Sequence, residues 1–173
     1  ELINSLLDLS KIEAGQMVIQ QTNFKSENLL QEVMEGLEPL LLEKSLEQEL
    51  IFQDNQQFLL FSDSSKVRQV LINILGNAIK FTDPGGRIEI RCTQDENGID
   101  LAVKDTGCSM NEEQQQQIFK VFHQVKVTGI TTQKGTGLGL ALVQSLMELL
   151  EGTVSLKSTL GVGSTFTLHF PVS

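Results

Sequence analysis

Asn73, Asn77 and Lys80 stand four and three residues apart within "VRQVLINILGNAIKFT". On a helix that spacing gathers two carboxamides and an ammonium into one narrow stripe. With Asn73 at zero on a wheel of ~100° per residue, Asn77 falls near ~40°, Lys80 near ~−20° and Gln69 near ~−40°. Val67, Leu71, Ile74, Leu75 and Ala78 fill the arc from ~100° to ~200°, so one face packs a core while the stripe looks outward. Carboxamide oxygens are hard ligands suited to Mg²⁺, which keeps several waters and bridges substrate phosphates. The plainer account is a solvated polar face. Such faces are usually rich in Glu and Lys, however, and two Asn inside a helix lose propensity for no local gain.

Two further segments carry potential chemistry. In "KGTGLGLALVQSLMELLEG", Gly135, Gly137 and Gly139 free the backbone where a leucine-rich helix begins, leaving its first N–H groups unpaired and its positive dipole end outward. A dinucleotide turn needs GxGxxG directly after a strand, and a Walker A loop needs GxxxxGK followed by Ser or Thr. Neither is present, so taken alone the segment is either a phosphate cradle or a flexible helix entry. In "LAVKDTGCSM", strand alternation runs into Asp105 and stops at Thr106-Gly107. A carboxylate at a strand end accepts a hydrogen bond from an exocyclic amine, and Gly107 lets a flat base approach the backbone. Isolated Asp-x-Gly turns are common, and this one by itself decides little.

The elements that position these residues follow from periodicity. Leu2, Leu6, Leu9 and Ile12 mark one face of an opening helix with a stop at Gly15, and nothing before it caps the start, which suggests a longer parent chain. "MVIQQTNF" is strand-like. Residues 26 to about 44 are helical, broken or bent near Pro39. Short strands follow at "LEQELIF" and "QQFLLF", then a strong helix over Ser64–Phe81 ended by "TDPGG". "RIEIRC" and "IDLAVKD" pair around "DENG", "NEEQQQQIF" is a short helix, and "TVSLKST" and "STFTLHFPV" close as a second strand pair. Helices and hairpins alternate without a repeated βαβ unit. The expectation is an α+β fold: a mixed, mostly antiparallel sheet with helices on one face.

Composition excludes several classes. The 173 residues suffice for one domain plus a short appendage, and 40% apolar with 20% charged residues is ordinary for a globular protein. No stretch reaches ~18 uninterrupted apolar residues, so no membrane-spanning segment is expected. A net charge of −9 argues against general affinity for nucleic acid or anionic lipid, though local cations and backbone N–H groups can still hold a nucleotide. Cys92 and Cys108 lack CxxC spacing, which speaks against a zinc site and for a reducing, cytoplasmic compartment.

Taken in this order, the segments resemble the ATP-binding domain of sensor histidine kinases, within the wider (GHKL, or Bergerat-fold) family shared with gyrase, heat-shock protein 90 and MutL. "LLDLSKIEAGQM" is similar to the end of the dimerisation and phosphotransfer hairpin. "VRQVLINILGNAIKFT" is similar to the N box, "DTGCSM" to the first glycine box, "IFKVFHQV" to the F box and "GTGLGLAL" to the second glycine box. The resemblance implies residues 1–15 as the end of the hairpin helix and 16–173 as the catalytic domain, a two-layer α/β sandwich with an ATP lid at about 120–136. It implies ATP and Mg²⁺, with Asn77 as the main metal ligand, Asn73 beside it and Lys80 reaching the phosphates. Asp105 takes the adenine amine, Gly107 lies under the ring and Thr165 is nearby. Lys134, Gly135, Thr136, Gly137, Leu138, Gly139 and Leu140 wrap the triphosphate, and Phe119 and Phe122 anchor the lid. In hydrolysing relatives the position of Asn73 holds a Glu that activates water. An amide cannot be that base, so the γ-phosphoryl is kept for a protein nucleophile.

The resemblance places the phosphoacceptor His on the hairpin upstream of Glu1, with a response-regulator receiver domain as the next acceptor. It implies a parent that dimerises through the hairpin, a fragment that is monomeric, and no membrane or nucleic-acid contact. His123 and His169 lack the helical context of an acceptor. Two positions depart from the pattern. Ser109 stands where the first glycine box usually has Gly, at a cost on the order of 1 kcal/mol if φ must be positive. Lys134 stands where Gly is common. Besides a kinase, the residues admit a non-catalytic regulatory module weakened by Ser109, and a hydrolysing ATPase that Asn73 disfavours.

Overall fold

The computed structural model describes residues 2–124 and 135–171. A first helix, α1 (Leu2–Glu13), ends before Gly15, whose φ of 63° turns the chain. Of its apolar residues Leu9 is buried and Ile12 packs on the core, while Leu2, Ile3, Leu6 and Leu7 stay exposed. The strand expected over "MVIQQTNF" is shorter: β1 covers Thr22–Lys25, and the preceding residues lack ladder partners. Helix α2 (Ser26–Glu43) runs through Pro39 without a break. The apolar side chains of Leu29, Leu30, Val33, Met34 and Leu41 hold it in place on either side of the proline.

Strands β2 (Glu47–Phe52) and β3 (Leu59–Ser62) lead to α3 (Ser64–Phe81). Asp63 starts that helix: its carboxylate accepts the N–H groups of Ser65 (3.0 Å) and Lys66 (3.1 Å), the orphan donors of a first turn. The helix stops where Thr82 turns extended and its hydroxyl donates to the Ala78 carbonyl at 2.6 Å, just ahead of Pro84. Strands β4 (Arg87–Gln94) and β5 (Gly98–Asp105) form a hairpin, and the short α4 (Glu112–Gln117) starts on an Asn111 capping box. The second half closes with α5 (Gly139–Leu149), β6 (Thr153–Thr159) and β7 (Gly163–Pro171).

Five strands form one sheet in the order β2-β4-β5-β7-β6, parallel between β2 and β4 and antiparallel elsewhere. A separate antiparallel pair joins β1 to β3. Along β5, Ile99, Leu101, Val103 and Asp105 alternate onto the buried face, which α3 and α5 cover with Leu71, Ile74, Leu75, Leu142 and Leu146. This is the expected two-layer arrangement. Among the described residues no helix is long and apolar enough to cross a membrane.

Candidate nucleotide site

On α3 the predicted stripe forms. The Asn73 side-chain amide donates to the Gln69 carbonyl at 2.9 Å, the usual local bond of an Asn within a helix, which leaves its oxygen facing away. That oxygen looks at the glycine segment: a Cβ placed on Gly139 would lie 3.0 Å from it. Asn77 is half-buried, and among the described residues none hydrogen-bonds its carboxamide. Lys80 sits 5.2 Å from the ring centre of Phe81, and a Cβ on Gly135 would come within 3.3 Å of its ammonium. Gly135 and Gly139 thus lie across the stripe with little room for side chains.

Gly137 answers a different need. Its φ is 71°, and a side chain there would collide with the backbone of Phe122, whose N–H donates to the Gly137 carbonyl at 2.9 Å. The glycine therefore joins the F-box segment to the start of α5. No side chain caps α5, so its first amides are available to an anion. The segment thus brings backbone donors to a stripe that already holds the Lys80 ammonium and two carboxamides, a donor set suited to phosphate oxygens.

The residues expected to meet the base lie at the end of β5. Asp105 is 5% exposed, and burial pushes its carboxyl up to about 6, against the opposing pull of the Gly107 and Ser164 backbone amides. Gly107 donates to its carboxylate at 2.9 Å. Gly107 itself presses on the end of α3, where a Cβ would strike the Phe81 carbonyl, and the next N–H, of Cys108, donates to that same carbonyl at 3.0 Å. The two halves of the site meet there. Cys108 is partly exposed, and burial followed by the charges of Asp83 and Asp105 pushes its thiol up, away from the reactive thiolate.

Several expected contributors sit elsewhere. Thr165 pairs in register with Lys104 and alternates onto the open face of the sheet, so it does not face Asp105. Its neighbour Ser164 does: it is in register with Asp105, buried at 2%, and donates to the Cys108 carbonyl at 3.3 Å. Strand parity in "GVGSTF" could have found it, because Phe166 must face the core and Ser164 shares its side. The Leu138 side chain is fully buried in the core, and Leu140 packs on that core in part. Thr136 is exposed and its hydroxyl accepts the Leu138 N–H at 3.3 Å. Phe119 anchors this region, edge-on to Phe166 at 6.3 Å, whereas Phe122 is 64% exposed with φ of 60°. Lys134 and residues 125–134 of the expected lid lie outside the described residues.

Ser109 is not strained. Its φ is not positive, and its hydroxyl accepts the Gly161 N–H at 2.9 Å, tying the first glycine box to the β6–β7 turn. The premise for a domain weakened at this position is therefore removed. His169 is held on the open face by Asp100 at 2.6 Å.

Residues 62–173 match the model of the histidine kinase-, DNA gyrase B- and HSP90-like ATPase family, and the chain belongs to that family. It is 38% identical over 172 residues to the circadian input-output histidine kinase CikA of Synechococcus elongatus, covering 99% of this chain and 23% of that protein. It is 34% identical over 174 residues to the sensor histidine kinase RcsC of Salmonella typhimurium, covering 99% of this chain and 18% of that one. The chain thus spans between 9% and 23% of the length of the curated relatives it matches. Among solved structures, full-length ShkA in complex with AMPPNP superposes with a TM-score of 0.84 at 30% identity, covering 98% of this chain and 35% of that one. The Acinetobacter baumannii histidine kinase AdeS gives 0.82 at 25%, covering 98% and 76%. The chain is the ATPase-family domain found in sensor histidine kinases, with a helical segment ahead of it.

Proposed function

We propose that this domain binds ATP with Mg²⁺ and serves as the catalytic part of a protein-histidine kinase. The observation that carries this reading is the seating of Gly135 against Lys80 and Gly139 against Asn73, which brings an uncapped helix start over the stripe. Asn77, unclaimed by other described residues, is the group placed to ligate the metal, with Asn73 beside it. When bound, the cation neutralises phosphate charge. A single neutral carboxamide suits a cation that arrives with its phosphates. Asp105 accepts from the adenine amine, and Lys80 meets the phosphates.

Asn73 offers no base for water, so the γ-phosphoryl is retained until a protein nucleophile is presented. That nucleophile is a His on a hairpin of which α1 is the closing part, and a response-regulator Asp receives the phosphoryl next. The parent of this chain is read as a kinase dimerised through such a hairpin, with this domain in the cytoplasm. The test is calorimetry with ATP and Mg²⁺ beside a phosphate-release assay, then labelling of a separately made parental hairpin. Tight binding, slow hydrolysis and an acid-labile label on the hairpin are expected. Brisk steady-state hydrolysis would overturn the transferase reading.

A further inference from the structure

Lys44 lies one residue beyond α2, far from the stripe in sequence, and belongs to none of the family segments identified above. Its ammonium is half-buried against the last turn of α3. It donates to the carbonyls of Ile79 at 2.9 Å, Lys80 at 2.7 Å and Thr82 at 2.8 Å. An ammonium has three hydrogens, and all three are used. The acceptors include the orphan carbonyls of a helix end, where the dipole is negative, so each bond is charge-assisted. The one carbonyl Lys44 leaves in this run, that of Phe81, takes the Cys108 N–H at 3.0 Å.

Every carbonyl from Ile79 to Thr82 is therefore engaged, three by Lys44 and one by the first glycine box. The backbone around Lys44 adds to the clamp. Its carbonyl accepts the Gly85 N–H at 3.0 Å, and Glu47 donates to the Gly86 carbonyl at 2.9 Å. This junction is where α3, carrying Asn73, Asn77 and Lys80, meets the turn carrying Asp105 and Gly107. Gly107 leaves no slack there, since even a methyl group would strike the Phe81 carbonyl.

We infer that Lys44 is a positioning residue for the nucleotide: it fixes the phosphate-binding face of α3 relative to the base-binding turn after β5. The inference rests on the nucleotide reading above. It differs from a purely structural role in one measurable way. Adenosine engages only the Asp105 side, whereas ATP must satisfy both sides at once. Loosening the junction therefore costs ATP more than adenosine.

The experiment compares affinities of the wild-type domain and of Lys44→Met for adenosine and for ATP with Mg²⁺, by calorimetry, with thermal unfolding recorded alongside. The ATP-to-adenosine affinity ratio should fall by roughly tenfold or more, the scale expected when groups that must act together are misplaced. If the wild-type domain binds neither ligand, the nucleotide reading fails and this inference falls with it. If the wild type binds and a folded variant keeps the wild-type ratio, whatever its melting temperature, the positioning role is overturned. Lys44→Gln, which keeps a polar head without the charge, carries the same expectation should Lys44→Met not fold. If neither variant folds, ammonium-selective NMR of the wild-type domain decides. A slowly exchanging lysine ammonium that shifts with ADP but not with adenosine supports the role, and its absence or an equal response to both overturns it.

Discussion

The Gln69 side-chain amide donates to the Asp8 carboxylate at 2.7 Å, joining α1 to α3 one helical turn ahead of Asn73. The contact is partly buried and spans two elements that otherwise meet through α5 and the apolar side chains of Leu9 and Ile12. Asp8→Ala and Gln69→Ala should each lower stability by about 1 kcal/mol, and the double variant should lose less than the sum by about 0.5 to 1.5 kcal/mol. Denaturant unfolding of the four proteins checks this. Strict additivity would show that the pair contributes nothing to holding α1.

Asp105 makes stability depend on pH in a defined direction. Burial raises its folded-state pKa from 3.8 to about 6, so the folded protein holds this proton more tightly than the unfolded chain. The contribution of this group is fully present below about pH 4, falls as pH rises towards about 6, and is flat above. The span is on the order of 2 to 3 kcal/mol. The difference in unfolding free energy between wild type and Asp105→Asn should therefore decline across that window. A difference that rises with pH there would contradict the burial argument.

The two halves of the site are separable by ligand. Asn77→Ala should weaken ATP with Mg²⁺ by roughly tenfold or more while leaving adenosine nearly unchanged. Asp105→Ala should weaken both ligands, because it removes a contact to the base. Equal losses for both ligands in both variants would mean that the assignment of roles is wrong.

Ser109→Gly should bring no gain. The hydroxyl holds the Gly161 N–H, and the backbone there asks for no positive φ, so the variant should lose about 0.5 to 1.5 kcal/mol of stability and keep its ATP affinity. Tighter nucleotide binding in this variant would restore the idea of a strained turn.

Periodicity went far with this chain because its faces are cleanly divided. The bounds of α3 could be read from its apolar arc and the "TDPGG" stop, and the β4–β5 and β6–β7 hairpins from alternation around their turns. What escaped was set by contacts distant in sequence. Pro39 does not break α2, because core packing on both sides outweighs one missing hydrogen bond. Strand parity, which the pairing of β5 with β7 imposes, puts Ser164 on the side of Asp105 and the expected Thr165 on the opposite face. Ser109 drew a strain argument because a missing glycine is visible in sequence, whereas its partner at Gly161 is not. Lys44 could not have been found at all: nothing local to "LLEKSLEQ" says that its side chain reaches the end of α3.

The central place of β5 governs when the recognition site can exist during synthesis. Asp105 has β4 on one side as soon as the hairpin emerges, but its other neighbour, β7, is the last strand of the described chain. Until Ser164 arrives, a nascent chain carries α3 and its stripe with an incomplete pocket for the base. Nucleotide is thus unable to stabilise the partly made domain, and the apolar row Ile99, Leu101 and Val103 waits beside an unpaired strand edge. On the reading proposed above, the nucleotide that favours the finished fold binds only once β7 has paired, too late to help build it.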